Sequence, residues 1–257
     1  MLPTNQGAYS VFYIANKNNI TVSGTGIING DAKDHLYTDP FAGTEYYGEF
    51  GFIFDFKSCD NIVFRDITIG YAFGDNILFS NDVQNNNGIK SVGLPTNNVI
   101  IDGIKILYAR RNGIALGGNN YSISDVYFEG NGSDTIKGTA PKSAIDFEND
   151  FLEEPSSINN NITMASCKFK DNKFDVSSFI YPSIATDITN SVTITNCNFT
   201  APLRLNTITT GMTFNNCHIV GISSHDNSII PWYNSKNLVF NSCIFDELNP
   251  YLTTTAK

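Results

Sequence analysis

Asn161-Ile162-Thr163-Met164-Ala165-Ser166-Cys167-Lys168-Phe169 decides how the chain is read. Counting Ile162 as zero, apolar residues stand at zero, plus two, plus five and plus seven, and small or polar ones stand between them. The same spelling begins at Asn19-Ile20-Thr21-Val22, Asn61-Ile62-Val63-Phe64, Asn98-Val99-Ile100-Ile101, Asn120-Tyr121-Ser122-Ile123, Ser191-Val192-Thr193-Ile194, Gly211-Met212-Thr213-Phe214 and Asn237-Leu238-Val239-Phe240. Position plus two then reads Val22, Phe64, Ile101, Ile123, Met164, Ile194, Phe214 and Phe240. Position plus seven reads Ile27, Ile69, Ile106, Phe128, Phe169, Phe199, Ile219 and Phe245. Position plus five reads Thr25, Ile67, Ile104, Val126, Cys167, Cys197, Cys217 and Cys243.

Apolar residues at zero and plus two, with a polar residue between, have the period of a strand with one buried face. Asp, Asn, Ser or Gly at plus three and plus four suit a bend, and plus five to plus seven begin a second short strand. One copy cannot bury its apolar side alone, so copies must stack into a continuous core. The copies start 42, 37, 22, 41, 30, 20 and 26 residues apart. The short intervals approach a minimal coil, and the long ones predict loops inserted on one side, where function tends to sit. Asn precedes the zero position in most copies. Stacked Asn side chains there can bond from one level to the next, and Asn tolerates left-handed backbone.

These residues predict an all-β fold with residues 1–257 as one elongated domain. They resemble the right-handed parallel β-helix of the pectate-lyase-like superfamily, over roughly Asn16 to Phe245. That group includes polysaccharide lyases, polygalacturonase-like hydrolases and phage tailspike depolymerases. The resemblance implies a single-stranded right-handed parallel β-helix of about eight to nine coils. It also implies a polysaccharide or glycan partner, an extracellular or virion-associated setting, and room for a homotrimer. The polygalacturonase-like signatures Asn-Thr-Asp, Gly-Asp-Asp, Gly-His-Gly and Arg-Ile-Lys are missing, and Gly74-Asp75-Asn76 is the nearest approach.

A net charge of -9 argues against a nucleic acid partner, which needs clustered Lys and Arg. No apolar run reaches the length of a membrane span. Met1-Leu2-Pro3-Thr4 does not read as a secretory leader. Cys167, Cys197, Cys217 and Cys243 share one column and read as a reduced, buried ladder rather than as disulfides or metal ligands. A stack of coils exposes apolar residues and strand edges at both ends. The chain is therefore expected to be a piece of a longer polypeptide, or to have its ends covered by other chains. Trp232, in a late loop, serves either as an end plug or as a ligand contact.

The strongest chemical candidate is Gly138-Thr139-Ala140-Pro141-Lys142-Ser143-Ala144-Ile145-Asp146-Phe147-Glu148-Asn149-Asp150. On a strand, Ile145 and Phe147 point inward, and Asp146, Glu148 and Asp150 share the outer face. Carboxyl groups two residues apart can flank a glycosidic bond as acid and as base or nucleophile, and mutual repulsion raises one pKa. The preceding level offers Gly113 and Ala115 as a shelf for a sugar ring. This stretch resembles a Gly-Thr-x-Pro-x-x-Gly-Ile-Asp-Ile-Glu-Pro segment of phage and bacterial β-helix proteins, with Ser143-Ala144 where the glycine would stand and Asn149 where the proline would. Three solvated acids, or a Ca²⁺ site, are the other readings. No cofactor or metal is required.

Further substrate-binding candidates are Asp55, Glu129, Arg110, Arg111, Tyr46 and Tyr47. Asp55 lies in Phe52-Ile53-Phe54-Asp55-Phe56, a strand with its Phe residues on one face and Asp55 on the other. Asp55, Glu129 and the Asp146 cluster are expected to line one groove. Arg110-Arg111 either holds a sugar carboxylate or pairs with a neighbouring acid. Tyr46 and Tyr47 lie in the insertion Gly30 to Gly51, which forms either a sugar-binding lip or its own apolar cluster. The expected function is glycoside-hydrolase-like cleavage of a surface or extracellular polysaccharide. A non-catalytic glycan-binding or structural β-helix of a phage tail, and a polysaccharide lyase, are the alternatives.

Overall fold

The computed structural model describes residues 9–32, 51–86, 89–133, 141–149, 160–180, 191–205, 211–223 and 238–246. Among them the chain is all-β, without a helix. The first sheet contains Tyr9–Ala15, Gly51–Lys57, Ile77–Ser80, Ile114–Leu116, Ser143–Asn149, Phe174–Ile180, Leu203–Leu205 and Ile222–Ser223, in that spatial order. The second contains Asn18–Ser23, Asp60–Arg65, Thr96–Asp102, Gly118–Ser124, Asn160–Ala165, Val192–Thr195, Met212–Asn215 and Leu238–Asn241. A third face is built from Ile27–Asn29, Thr68–Gly70, Lys105–Leu107, Tyr127–Glu129 and Lys168–Lys170, then His218–Ile219 with Ile244–Phe245. Asn198 bridges Lys168 and His218 across the gap. Strands visit first, second and third sheet in rotation, and each pairs in parallel with its counterpart one level later. The arrangement is consistent with a parallel β-helix. One antiparallel hairpin, Val83–Asn86 with Ile89–Val92, interrupts the rotation.

The repeat columns are real rows of the second sheet. Ile20, Ile62, Val99, Tyr121, Ile162, Val192, Met212 and Leu238 are register partners in succession. Val22, Phe64, Ile101, Ile123, Met164, Ile194, Phe214 and Phe240 form the next inward row. These rows meet the inward residues of the other sheets in one continuous core. Phe128, Phe169 and Phe199 stack along it at ring separations of 5.1 and 4.9 Å. Cys167, Cys197 and Cys217 are buried free thiols, and Cys243 is half-buried.

Left-handed backbone marks the corners. Asn19, Asn61, Asn98, Asn120 and Asn161 have φ of 59, 56, 53, 59 and 55°. Asn161 Nδ2 donates to Asn120 Oδ1 at 2.6 Å, Asn120 Nδ2 to Asn97 Oδ1 at 2.8 Å, and Asn61 Nδ2 to Asn19 Oδ1 at 3.3 Å. Asp66, Asp125, Ser166, Asn196, Asn216 and Ser242 hold the plus-four bend with φ between 50 and 57°. Short polar side chains pay little steric penalty there.

Two expectations are corrected. Ile27 does not join the plus-seven row: Ile28 pairs with Ile69, and Ile27 is exposed. The first bend carries Gly24 at φ 140° and is one residue longer, which turns Ile27 outward. Phe52 does not share a face with Phe54 and Phe56. It packs with Leu78 and Ala115 in a separate cluster, while Ile53 enters the core. Consecutive N–H groups, Ile53 to Asp75 O at 3.3 Å and Phe54 to Asn76 O at 3.0 Å, both bond to the next level, so strict alternation fails there.

A buried amide ladder supports the corner where the chain enters the first sheet. Asn76 Nδ2 donates to Leu107 O at 3.0 Å, and its Oδ1 accepts from Ala72 N at 3.1 Å. Asn131 Oδ1 accepts from Ala109 N at 3.1 Å, and its Nδ2 donates to Ile106 O at 3.1 Å and Asn172 Oδ1 at 3.0 Å. Asn172 Nδ2 donates to Asp175 Oδ1 at 3.0 Å, and Asp175 Oδ2 accepts from Thr200 N and Ala201 N at 2.6 and 2.7 Å. Buried backbone groups that face no strand partner are satisfied in this way.

Candidate functional site

The spacing of strands points to one face. From the second to the third sheet the connections are always short, as in Arg65 to Thr68, Ser124 to Tyr127 and Asn215 to His218. The long connections, Asn29 to Gly51, Glu129 to Ser143, Ser80 to Thr96, Asn149 to Asn160, Ile180 to Val192 and Ser223 to Leu238, all begin or end on a first-sheet strand. Insertions therefore join the chain both before and after first-sheet strands. Binding residues concentrate on such loops over a rigid scaffold.

The outer row of that sheet runs Tyr13, Asp55, Leu78, Ala115, Asp146, Ser177 and Arg204, each paired in register with the next. Tyr13 is 61% exposed, whereas Asp55, Ala115 and Asp146 are at 0% and Arg204 at 5%. Each outer residue sits between two inward ones, as Asp146 between Ile145 and Phe147 or Arg204 between Leu203 and Leu205. The predicted inward pair and the Ala115 neighbour of Asp146 are thus in place.

Asp55 Oδ1 lies 3.2 Å from Lys57 Nζ, which donates to Ser80 Oγ at 2.7 Å. Burial raises the Asp55 pKa, and Lys57 opposes the rise. Asp55 and Asp146 are three strands apart, about 14 Å at the usual strand spacing. Paired glycosidase carboxyls lie about 5–9.5 Å apart, so these two cannot serve one bond. Asp146 and Glu148 lie on one strand, about 6.5–7 Å apart at the backbone. The Glu148 backbone pairs with Phe179. The Glu148 side chain, and Asp150, Tyr46 and Tyr47 entirely, lie outside the described residues.

The arginine pair divides. Arg111 Nη1 bonds Asp75 Oδ2 at 2.9 Å, and Asp75 Oδ1 accepts from Asn112 N at 2.9 Å. The Arg110 guanidinium lies 3.9 Å over the Phe73 ring and donates to Ala32 O at 3.1 Å. Both are buried on the connection leading into Ile114–Leu116. Arg204 repeats the pattern, 4.9 Å over Phe174 and donating to Pro141 O at 3.0 Å.

Glu129 does not belong to the outer row of the first sheet, and the expected single groove is corrected accordingly. It sits on the third sheet, where Oε1 accepts from Tyr108 Oη at 3.0 Å and from Lys170 Nζ at 2.8 Å, and Oε2 accepts from Tyr127 Oη at 2.9 Å. The Lys170 hydrogen bond leads in lowering its pKa, and the bond from Tyr108 to Glu129 leads in raising that of the tyrosine. Every other residue of Glu129's strand turns outward on a sheet whose face differs from Asp146's, so sequence spacing could not unite them.

Sequence reasoning missed Lys57, Ser177 and Arg204. For Arg204 a signal existed: Phe54-Asp55-Phe56, Ile77-Leu78-Phe79, Ile114-Ala115-Leu116, Ile145-Asp146-Phe147 and Leu203-Arg204-Leu205 are apolar triplets whose middle residues belong to the row, whereas Val176-Ser177-Ser178 and Phe56-Lys57-Ser58 carry no such mark.

No protein-family model matches the chain. Over 150 residues it is 33% identical to "Uncharacterized protein YclG" of Bacillus subtilis (strain 168), a match that covers 58% of this chain and 24% of that protein. The chain thus spans about a quarter of the length of the relative it matches.

Proposed function

We propose that the chain is a right-handed parallel β-helix of the pectate-lyase-like kind that cleaves a surface or extracellular polysaccharide along the outer face of the first sheet. Right-handedness follows the rule for parallel strands joined by crossovers. The observation that carries the reading is the coincidence of two features: the long connections all begin or end on first-sheet strands, and that sheet's outer row holds Asp146. Asp146 and Glu148, two apart on one strand, are the hydrolytic pair, one serving as acid and the other as base or nucleophile. Ser177, next to Asp146 in the row, and Arg204, one strand further on, contribute substrate contacts.

Incubation with a panel of polysaccharides, followed by reducing-end and ultraviolet assays, tests this. Hydrolysis produces new reducing ends without an unsaturated chromophore, and Asp146→Asn and Glu148→Gln each lower the rate about 10²–10⁴-fold. An unsaturated product makes the protein a lyase instead. Products that persist in both variants refute the assigned pair.

A non-catalytic glycan-binding role is the second reading. It is favoured by the way charges close on one another: Asp55 on Lys57, and Asp75 on Arg111. Glycan retention without products from any polymer would decide for it.

A further inference from the structure

Two tyrosines occupy backbone that tyrosine avoids. Tyr71 and Tyr108 have φ of 64 and 46°. They follow third-sheet strands at equivalent places, where the next two levels carry Gly130 and Asp171 with φ of 69 and 53°. The equivalence is fixed by hydrogen bonds: Tyr71 N to Leu107 O, Tyr108 N to Glu129 O and Gly130 N to Lys170 O, at 2.9, 2.8 and 3.0 Å. Gly, Asn and Asp accept left-handed backbone readily, and bulky residues there are strained. Strain of this kind persists where the side chain has a use.

The rings are held in a defined arrangement. Tyr71 and Tyr108 stack with centroids 5.2 Å apart and planes 18° from parallel. Tyr108 leans along the stack onto Gly130, where a Cβ would come within 2.3 Å of its ring. Its hydroxyl ends on Glu129, which Tyr127 and Lys170 also hold. Tyr108 nevertheless remains 40% exposed. The result is a preorganised aromatic ledge with a carboxylate at its foot. It stands at the third-sheet end of the connections that carry Asp75 and Arg111 into the first sheet.

We propose that Tyr71, Tyr108, Tyr127 and Glu129 form an accessory sugar-contact site, separate from the first-sheet row, that grips the polysaccharide away from the point of cleavage. The apolar face of a pyranose ring packs on tyrosine, and its hydroxyls hydrogen-bond the carboxylate and phenols. A second grip on the same polymer raises retention of long chains through effective concentration and leaves short ones unaffected. The inference rests on the glycan reading above and adds a second place of contact to it.

The test compares wild type with Tyr71→Asn/Tyr108→Asn, Tyr108→Phe and Asp146→Asn. Retention is measured by affinity electrophoresis in dextran, xylan, alginate, polygalacturonate and hyaluronate, with melting temperature alongside. The double Asn variant should melt no lower than wild type, because Asn relieves the backbone strain, yet lose at least fivefold in retention by every polymer that retains wild type. Tyr108→Phe should fall between, and cleavage of short oligosaccharides should be unchanged in both. Asp146→Asn should lower cleavage about 10²–10⁴-fold and keep the polymer bound. Undiminished retention in the double variant overturns the accessory site alone. A lower melting temperature in that variant also overturns it, because the tyrosines are then structural. Failure of all five polymers to retain wild type overturns the accessory site together with the glycan reading.

Discussion

Asn131→Ala should be among the most damaging single substitutions in the protein. Asn131 is fully buried, and its side chain accepts from Ala109 N at 3.1 Å and donates to Ile106 O at 3.1 Å and to Asn172 Oδ1 at 3.0 Å. A weaker contact of 3.5 Å comes from Asn76 Nδ2. Alanine removes these bonds and leaves the Ala109 N–H and Ile106 carbonyl buried without that partner. Each orphaned backbone group costs about 1–3 kcal/mol, and the broken amide chain adds to it, so the loss should total about 3–5 kcal/mol. Urea denaturation followed by circular dichroism measures it. Asn131→Asp keeps the acceptor for Ala109 N but loses the donor to Ile106 O and Asn172 Oδ1 and sets a buried carboxylate against both oxygens, so at neutral pH it should destabilise at least as much as alanine. A loss below about 1 kcal/mol for alanine would refute the ladder as a support of the corner, since surface changes alone reach about half that.

Burial pushes the pKa of Asp175 up to about 6, against the opposing donors Ala201 N, Asn172 and Thr200 N. Its folded pKa exceeds the unfolded one, so its contribution is fully present below about pH 4 and is lost as pH rises through about 6, by up to about 3 kcal/mol. Stability measured across this range should decline less steeply in Asp175→Asn, and an identical slope would sink the idea. Lys57→Met leaves the buried Asp55 carboxylate without its cation and should cost about 3 kcal/mol at neutral pH. Acidification should restore part of that loss by protonating Asp55, and Asp55→Asn in the same chain should restore it too; a loss unaffected by either refutes the pairing argument. Gly130→Ala combines φ 69° with a Cβ driven into the Tyr108 ring, so it should lower stability by about 1–3 kcal/mol, and by less where Tyr108 is also made small, the backbone strain alone remaining. Equal loss with Tyr108 and with Tyr108→Ala would show that the ring is not the obstacle.

The second-sheet rows were legible in the sequence, because a row of a parallel sheet repeats one residue type at one place in each copy, and burial keeps it apolar. Ile62, Val99 and Tyr121 could be aligned by spelling alone, and so could the Asn residues that turn the corner before them. The first sheet was less legible. Its strands stand at variable distances from the repeat, behind insertions of unequal length, so no fixed offset led to Lys57, Ser177 or Arg204. Alternation along one strand correctly set Ile145 and Phe147 inward around Asp146, since that period is local. It failed at Phe52, where two successive N–H groups bond to the next level. The placement of Glu129 among Tyr108, Tyr127 and Lys170 was decided by tertiary structure alone. Those residues come from three levels of the stack, and which side chains meet across levels depends on where each corner turns, a property of backbone angles that residue names only partly constrain.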